Sequence, residues 1–274
     1  MTGRSGPCGG LPMSQIAILT RPQGRNGALA RRLRDAGWQT LCLPALRIEP
    51  LPPENGVVPL PRDYDLVVFV SGNAARLYLE QLRARGQLPW PAGALAATVG
   101  PASARALLES GHFGADTTVL RPAESAPTHD SEALWALLRA RPVLPRRALL
   151  IRGTQGRDWL ADRLAAAGVE VSRHAVYRRL PAPWAQEGRQ RLRDWARAGE
   201  RPTWLLTSGE GIDALVQGLR EEQLLDWWLQ GRFVVTHPVL AERLRALAGG
   251  GAGAPMVKNC MPADEAIFAT FVAA

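Results

Sequence analysis

Residues 150–183, LIRGTQGRDWLADRLAAAGVEVSRHAVYRRLPAP, repeat the plan of residues 19–53, LTRPQGRNGALARRLRDAGWQTLCLPALRIEPLPP. Each reads as an apolar strand ending in an arginine, a glycine-containing turn, an arginine-rich amphipathic helix closing at Ala-Gly, a second strand, and an exit punctuated by proline. Arg21 and Arg152 lie 131 positions apart, and Gly37 and Gly168 keep the same separation. An offset that holds across a whole segment marks an internal duplication. It constrains the fold more than any single motif, because whatever the first copy packs against, the second needs an equivalent of.

The remainder of each copy keeps step. An apolar strand after Asp65 leads to Ser71, Gly72 and Asn73 and then a helix carrying Leu77, Leu79 and Leu82; residues 204–207 lead in the same way to Ser208 and Gly209. Residues 96–99 run into Gly100, Pro101 and Ser103 ahead of another helix, and residues 233–236 run into His237 and Pro238. Short strands at 117–120 and 255–258 close each series. Apolar runs alternating with helical segments predict an α/β fold with parallel sheets covered on both faces.

Proline placement indicates where this chain divides. The richest breaks fall inside each copy, at Pro44, Pro50, Pro52 and Pro53 and again at Pro181 and Pro183, where regular structure stops. The expected organisation is a discontinuous α/β domain built from residues 15–45 with 181–274, and a second α/β domain over residues 51–173. Connecting strands at 46–50 and 174–180 would cross side by side, with a cleft between the two lobes. Residues 1–14, rich in Gly and Pro, are expected to form a disordered leader.

Composition narrows the function classes. With 46% hydrophobic and 21% charged residues the chain has the make-up of a soluble globular protein. It holds no apolar run near the roughly 18 residues of a membrane span, so no membrane partner is expected. Cys8, Cys42 and Cys260 are odd in number and lack metal-type spacing, which argues for a reducing cytoplasm and against a disulfide framework or zinc site. The net charge of +8 rests on 33 basic residues, of which only Lys258 is a lysine. Arginine suits bidentate recognition of carboxylate and phosphate, so a partner attracted by this charge is an anion. The arginines are scattered over helix faces, as at Arg31, Arg32 and Arg34, rather than gathered on a basic reading helix, and no nucleic-acid partner is expected.

Taken in order, several motifs resemble one family. They are Thr20-Arg21-Pro22, the helix LARRLRDAGW, Leu43-Pro44 with Ile48-Glu49-Pro50, FVSGNA at 69–74, VGPASA at 99–104, Arg152-Gly153, Val176-Tyr177-Arg178-Arg179, and Leu206-Thr207-Ser208-Gly209. From Gln15 to the C-terminus the chain resembles uroporphyrinogen-III synthase; no one motif is specific, but their order and spacing are. The resemblance implies two α/β lobes joined by a two-stranded ladder, in a cytoplasmic monomer of tetrapyrrole biosynthesis. The implied reaction is the cyclising dehydration of hydroxymethylbilane, a small linear tetrapyrrole bearing carboxylates, to uroporphyrinogen III with the terminal pyrrole ring inverted. It further implies no metal or organic cofactor, and only transient contact with neighbouring pathway enzymes. The competing reading is a non-catalytic two-lobed polyanion binder or degenerate synthase domain.

The resemblance gives Tyr177 a catalytic task, its hydroxyl donating a hydrogen bond or proton to the departing hydroxyl; the other reading is a packing tyrosine in an ordinary strand. Ser71, Gly72, Asn73, Gly100, Ser103, Ser208 and Gly209 sit at strand-to-helix junctions, where amides and hydroxyls either hold substrate carboxylates or simply cap helices. Arg21, Arg152 and Gly153 end equivalent strands and are candidates for carboxylate contact or for a structural role. His237 stands in a turn, Thr236-His237-Pro238, that departs from the Gly-Pro-Thr-Thr-Ala-like pattern of the family, and is a candidate for polar contact there. His174 is a candidate acid-base group or an ordinary hydrogen-bonded histidine.

Overall fold

The computed structural model describes residues 15–114, 117–123, 130–249 and 255–273. The expected leader at 1–14, the loop residues 124–129 and the glycine run 250–253 lie outside the described residues. The strands are β1 (Ile16–Leu19), β2 (Gln39–Cys42), β3 (Leu46–Pro50), β4 (Leu66–Phe69), β5 (Leu95–Thr98), β6 (Val119–Leu120), β7 (Arg147–Gly153), β8 (Glu170–Pro181), β9 (Thr203–Leu206), β10 (Arg232–Val235) and β11 (Met256–Asn259). The helices are α1 (Gly27–Asp35), α2 (Gly72–Arg83), α3 (Pro101–Leu108), α4 (Ser131–Arg139), α5 (Trp159–Ala166), α6 (Gln186–Arg197), α7 (Gly209–Glu221), α8 (Leu225–Leu229), α9 (Pro238–Ala248) and α10 (Asp264–Val272). None of the described helices is long and apolar enough to cross a membrane.

The chain forms two compact units, one from Met1–Arg47 with Leu180–Ala274 and the other from Ile48–Arg179. The first holds a five-stranded sheet in the order β11-β10-β9-β1-β2, and its neighbours pair in parallel. The second is built on a six-stranded sheet in the order β3-β8-β7-β4-β5-β6, parallel from β8 to β6. Apart from β3 the two orders follow one plan. A three-strand series, β9-β10-β11 or β4-β5-β6, lies beside a two-strand series, β1-β2 or β7-β8, with the first strand of each in contact. Each sheet therefore joins the two-strand half of one copy to the three-strand half of the other.

Continuous apolar strands are what this architecture requires, because successive side chains point to opposite faces and both faces are covered. In the first unit Ile16 and Ile18 pack on one face with Trp204, Leu206 and Phe233, while Ala17 and Leu19 pack on the other with Leu29, Leu33 and Phe271. In the second, Val67 and Phe69 share a face with Leu149 and Ile151, and Leu66 and Val68 share the opposite face with Ala148 and Leu150. The arginines of α1 take the outer face while Leu29, Ala30 and Leu33 are buried. That helix closes at Gly37, whose φ of +85° is a left-handed value that a side chain would strain.

One feature differs from the sequence expectation. Residues 174–180 do not leave the sheet as a separate connector; they continue β8, a single strand of 12 residues, so that Tyr177 still pairs with β7 through Gly153. At the sheet edge β3 lies beside β8, and its flanks are hydrogen-bonded from Leu51 N–H to the Val176 carbonyl at 2.9 Å and from Ala182 N–H to the Ala45 carbonyl at 3.0 Å. Positions rise on one side as they fall on the other, so this edge pair is an antiparallel ladder. The edge position also explains why β3 tolerates Pro50, since an edge strand can lack one donor. The short helix α8 escaped the sequence pattern because five residues carry no period; its Trp228 is buried, with ring centroids 6.1 Å from Trp204 and 5.1 Å from Phe233 in edge-to-face contact.

Phe69 is fully buried and packs against Tyr78 and Trp90 at centroid distances of 6.0 and 5.8 Å. Truncation there removes a large apolar group and leaves a cavity in a close-packed core. Phe69→Ala is expected to destabilise the protein by about 3–5 kcal/mol, read as a lowered midpoint of urea unfolding followed by circular dichroism.

Candidate functional site

Parallel pairing puts the carboxyl ends of the strands on one edge of each sheet, and the following helices begin there. In both sheets the connections depart in opposite directions from one central pair, β1 with β9 and β4 with β7. Such a switch point leaves a crevice outside the carboxyl ends of the strands, where open α/β sheets bind ligands.

In the second unit this edge is built from β8, β7, β4 and β5. Ser71 follows β4 and caps α2, its Oγ accepting from Ala74 N–H at 3.1 Å, an arrangement typically worth ~1 kcal/mol. The same oxygen lies 3.1 Å from the hydroxyl of Tyr177. Tyr177 is only 4% exposed and belongs to the apolar cluster containing Phe69 and Ile151, so its ring is packed while its hydroxyl is held at the helix start. Gly72 and Asn73 form the first turn of α2. On the neighbouring strand, Gly100 caps α3; its carbonyl accepts from Thr98 Oγ1 and Ser103 N–H, each at 3.2 Å, and Ser103 itself is buried.

Arg152 and Arg21 are both engaged within the protein. Arg152, 9% exposed, donates to the Asp158 carboxylate, to the Gly156 carbonyl at 3.0 Å and to the Gly153 carbonyl at 3.1 Å. It thereby orders the turn between β7 and α5, and together with Arg173 it holds the Asp158 carboxyl below the ordinary carboxylate range. Arg21 pairs with Asp264 at 2.6 Å and reaches the Arg25 carbonyl at 3.4 Å. The duplicated arginine thus fastens the turn after its strand in both copies.

In the first unit Ser208 caps α7 by accepting from Gly211 N–H at 3.1 Å, the counterpart of Ser71 on α2. His237 caps α9, its exposed ring accepting from Val239 N–H through Nδ1 at 3.3 Å. Arg243 reaches from α9 towards α7, where it pairs with Asp213 and its Nη1 lies 3.1 Å from where a Cβ on Gly209 would be. Sequence reasoning missed Arg243. Its approach to Gly209 depends on how two helices separated by a strand pack, and no local spacing reports that.

The family described as uroporphyrinogen-III synthase HemD matches residues 27–250. The chain belongs to the uroporphyrinogen-III synthase family. Among curated relatives, the uroporphyrinogen-III synthases of Salmonella typhimurium and Escherichia coli are 28% and 27% identical over 233 residues, 84% of this chain and 90% of each relative. Solved structures agree in fold. The Helicobacter pylori enzyme superposes with a TM-score of 0.57 at 15% identity, covering 95% of this chain and 99% of that one. A mutant of the Thermus thermophilus enzyme gives 0.56 at 21% identity, covering 95% and 98%. The α/β architecture with two sheets, expected from the sequence, is that of the uroporphyrinogen-III synthases.

Within this synthase fold His174 is a structural group. It is buried in β8, with Nε2 2.7 Å from Gln81 Oε1, and Gln81 passes the contact on by donating to the Leu51 carbonyl at 3.0 Å. The Tyr78 ring meets the imidazole edge-on at 5.9 Å. Burial pushes the His174 pKa below its ordinary 6.5; Arg85 adds to this and Glu54 opposes it. A histidine kept neutral in the fold but free to charge when unfolded binds more protons in the unfolded state. Stability is expected to be full above pH 6.5 and to fall as pH drops from there through the lowered native pKa. Urea unfolding midpoints measured between pH 5 and 8 should show this fall in the native chain, reduced in His174→Gln.

Proposed function

We propose that this protein carries out the cyclising dehydration of hydroxymethylbilane to uroporphyrinogen III, as a cytoplasmic monomer. The observation that carries the reading is the family match over residues 27–250; the placement of the Tyr177 hydroxyl on Ser71 supports it. In the reaction the bond between carbon and the terminal hydroxyl breaks, and the oxygen keeps the bonding pair and leaves with a proton as water. The azafulvene so formed is attacked by the substituted carbon of the terminal ring, and the resulting spiro intermediate opens and recloses with that ring inverted. Free bilane closes unaided to the type I isomer, so the task is mainly one of orientation.

In this reading Tyr177 is the catalytic residue, its hydroxyl directed at the departing oxygen and aligned by Ser71. The substrate carboxylates are received at helix N-termini, where free amides and the helix dipole favour negative charge. Gly72 and Asn73 on α2, Gly100 and Ser103 on α3, Ser208 and Gly209 on α7, and His237 on α9 supply these positions. Arg21 and Arg152 contribute by fixing the turns beside them.

An assay that generates hydroxymethylbilane in situ and resolves the two uroporphyrinogen isomers is expected to yield type III product. Type I alone, at the spontaneous rate, would overturn the reading. Tyr177→Phe is expected to lower type III turnover on the order of 10²-fold, the lower end for a general acid, with type I accumulating in its place. An unchanged rate and isomer ratio would remove Tyr177 from the mechanism.

A further inference from the structure

We infer that Gly153 is the residue that positions Tyr177, acting by the absence of a side chain and not by touching substrate. The inference rests on the reading that the Tyr177 hydroxyl takes part in the reaction. Its physical basis lies in the strand order. β7 lies between β8, which carries Tyr177, and β4, which leads into Ser71. To place its hydroxyl 3.1 Å from Ser71 Oγ, the ring of Tyr177 has to pass over β7.

It does so at Gly153. A Cβ built on Gly153 would stand 2.8 Å from Cε2, 2.9 Å from Cζ and 3.3 Å from Cδ2 of Tyr177. These are carbons of a packed ring, not the far end of a flexible chain, so any side chain at 153 displaces the ring and the hydroxyl with it. The glycine is needed for space alone, since its φ lies outside the left-handed region.

The backbone is arranged to the same end. Arg152 pairs with Ala175, but Gly153 pairs with Tyr177, so the register slips past Val176 at this point. Thr154 N–H then locks the slipped register by donating to the Tyr177 carbonyl at 2.9 Å. A bulge of this kind re-aims one side chain. Here it sets the tyrosine opposite the one residue of β7 that leaves room for it.

The duplication gives an independent indication. The same offset that relates Arg21 to Arg152 relates Pro22 to Gly153 and Leu46 to Tyr177. The serine cap recurs in both units, as Ser71 and Ser208, yet the glycine and the tyrosine are both absent from the first copy. The two residues differ together.

The test is a double-mutant cycle of Gly153→Ala and Tyr177→Phe in the isomer-resolving assay, with rates referred to folded protein. Gly153→Ala alone is expected to lower kcat for type III product by roughly 10- to 100-fold, the scale of a displacement of about 1 Å, with KM little changed. On the Tyr177→Phe background it is expected to cost nothing further, because the ring it displaces no longer carries the hydroxyl. An equal loss on both backgrounds, or no loss on either, overturns the positioning role while leaving Tyr177 to be judged by its own substitution. If Tyr177→Phe by itself is without effect, the reading of Tyr177 fails and this inference with it. Should Gly153→Ala not fold, Tyr177→Leu, which installs the residue of the first copy, is expected to restore its unfolding midpoint to that of Tyr177→Leu alone; a deficit persisting there overturns the steric account.

Discussion

The parallel pairing of β4 with β7, in register from Leu66 with Ala148 to Phe69 with Ile151, is the contact on which the second unit depends. It joins the first strand of one series to the first strand of the other, and β1 with β9 does the same in the first unit. Because the connections leave these central pairs in opposite directions, the helices that follow part from one another above the carboxyl edge. The N-termini of α2 and α7 open there, each with one first-turn amide held by its serine cap. A buried seam of apolar residues thus determines where polar chemistry can occur.

On this common scaffold the two units share some polar devices and differ in others. Both units keep a serine cap on the helix after the central strand, which satisfies backbone donors at little cost. In both, the arginine near the end of the equivalent strand pairs with a carboxylate, Asp158 or Asp264, and donates to a carbonyl of the turn that follows, that of Gly156 or Arg25. What distinguishes the second unit is a hydroxyl pair set at the switch point by a bulge and a missing Cβ. A steric absence at Gly153 and a hydrogen bond with Ser71, the cap of α2, act on the same side chain, which is how a side chain with a packed body keeps a defined polar tip.

The arginine content has a plain structural share. Arg32 forks onto Glu265 at 2.6 and 2.8 Å, Arg178 pairs with Glu49, and Arg193 pairs with the nearly buried carboxylate of Glu222. Exposed pairs of this sort contribute little each, but they hold long side chains to the surface. The chain as a whole keeps a formal net charge of +8, which favours an anionic partner.

Much of this was legible from residue order alone. Repeated spacing and apolar runs predict two α/β sheets, because those features are governed by local periodicity and backbone stereochemistry. Family motifs named Tyr177 and Ser71 separately. What the amino-acid order could not show is that they touch, that Gly153 lies beneath the ring, that Arg152 is consumed by Asp158, or that His174 is tied to Gln81. The contacts of Tyr177, Gly153 and His174 relate residues brought together by strand order and register, and a slip of one residue in β8 would turn Tyr177 to the opposite face; the Arg152 pair depends on the conformation of the turn between β7 and α5. Periodicity decided the elements; the pairing of β8, β7 and β4 decided what stands next to what.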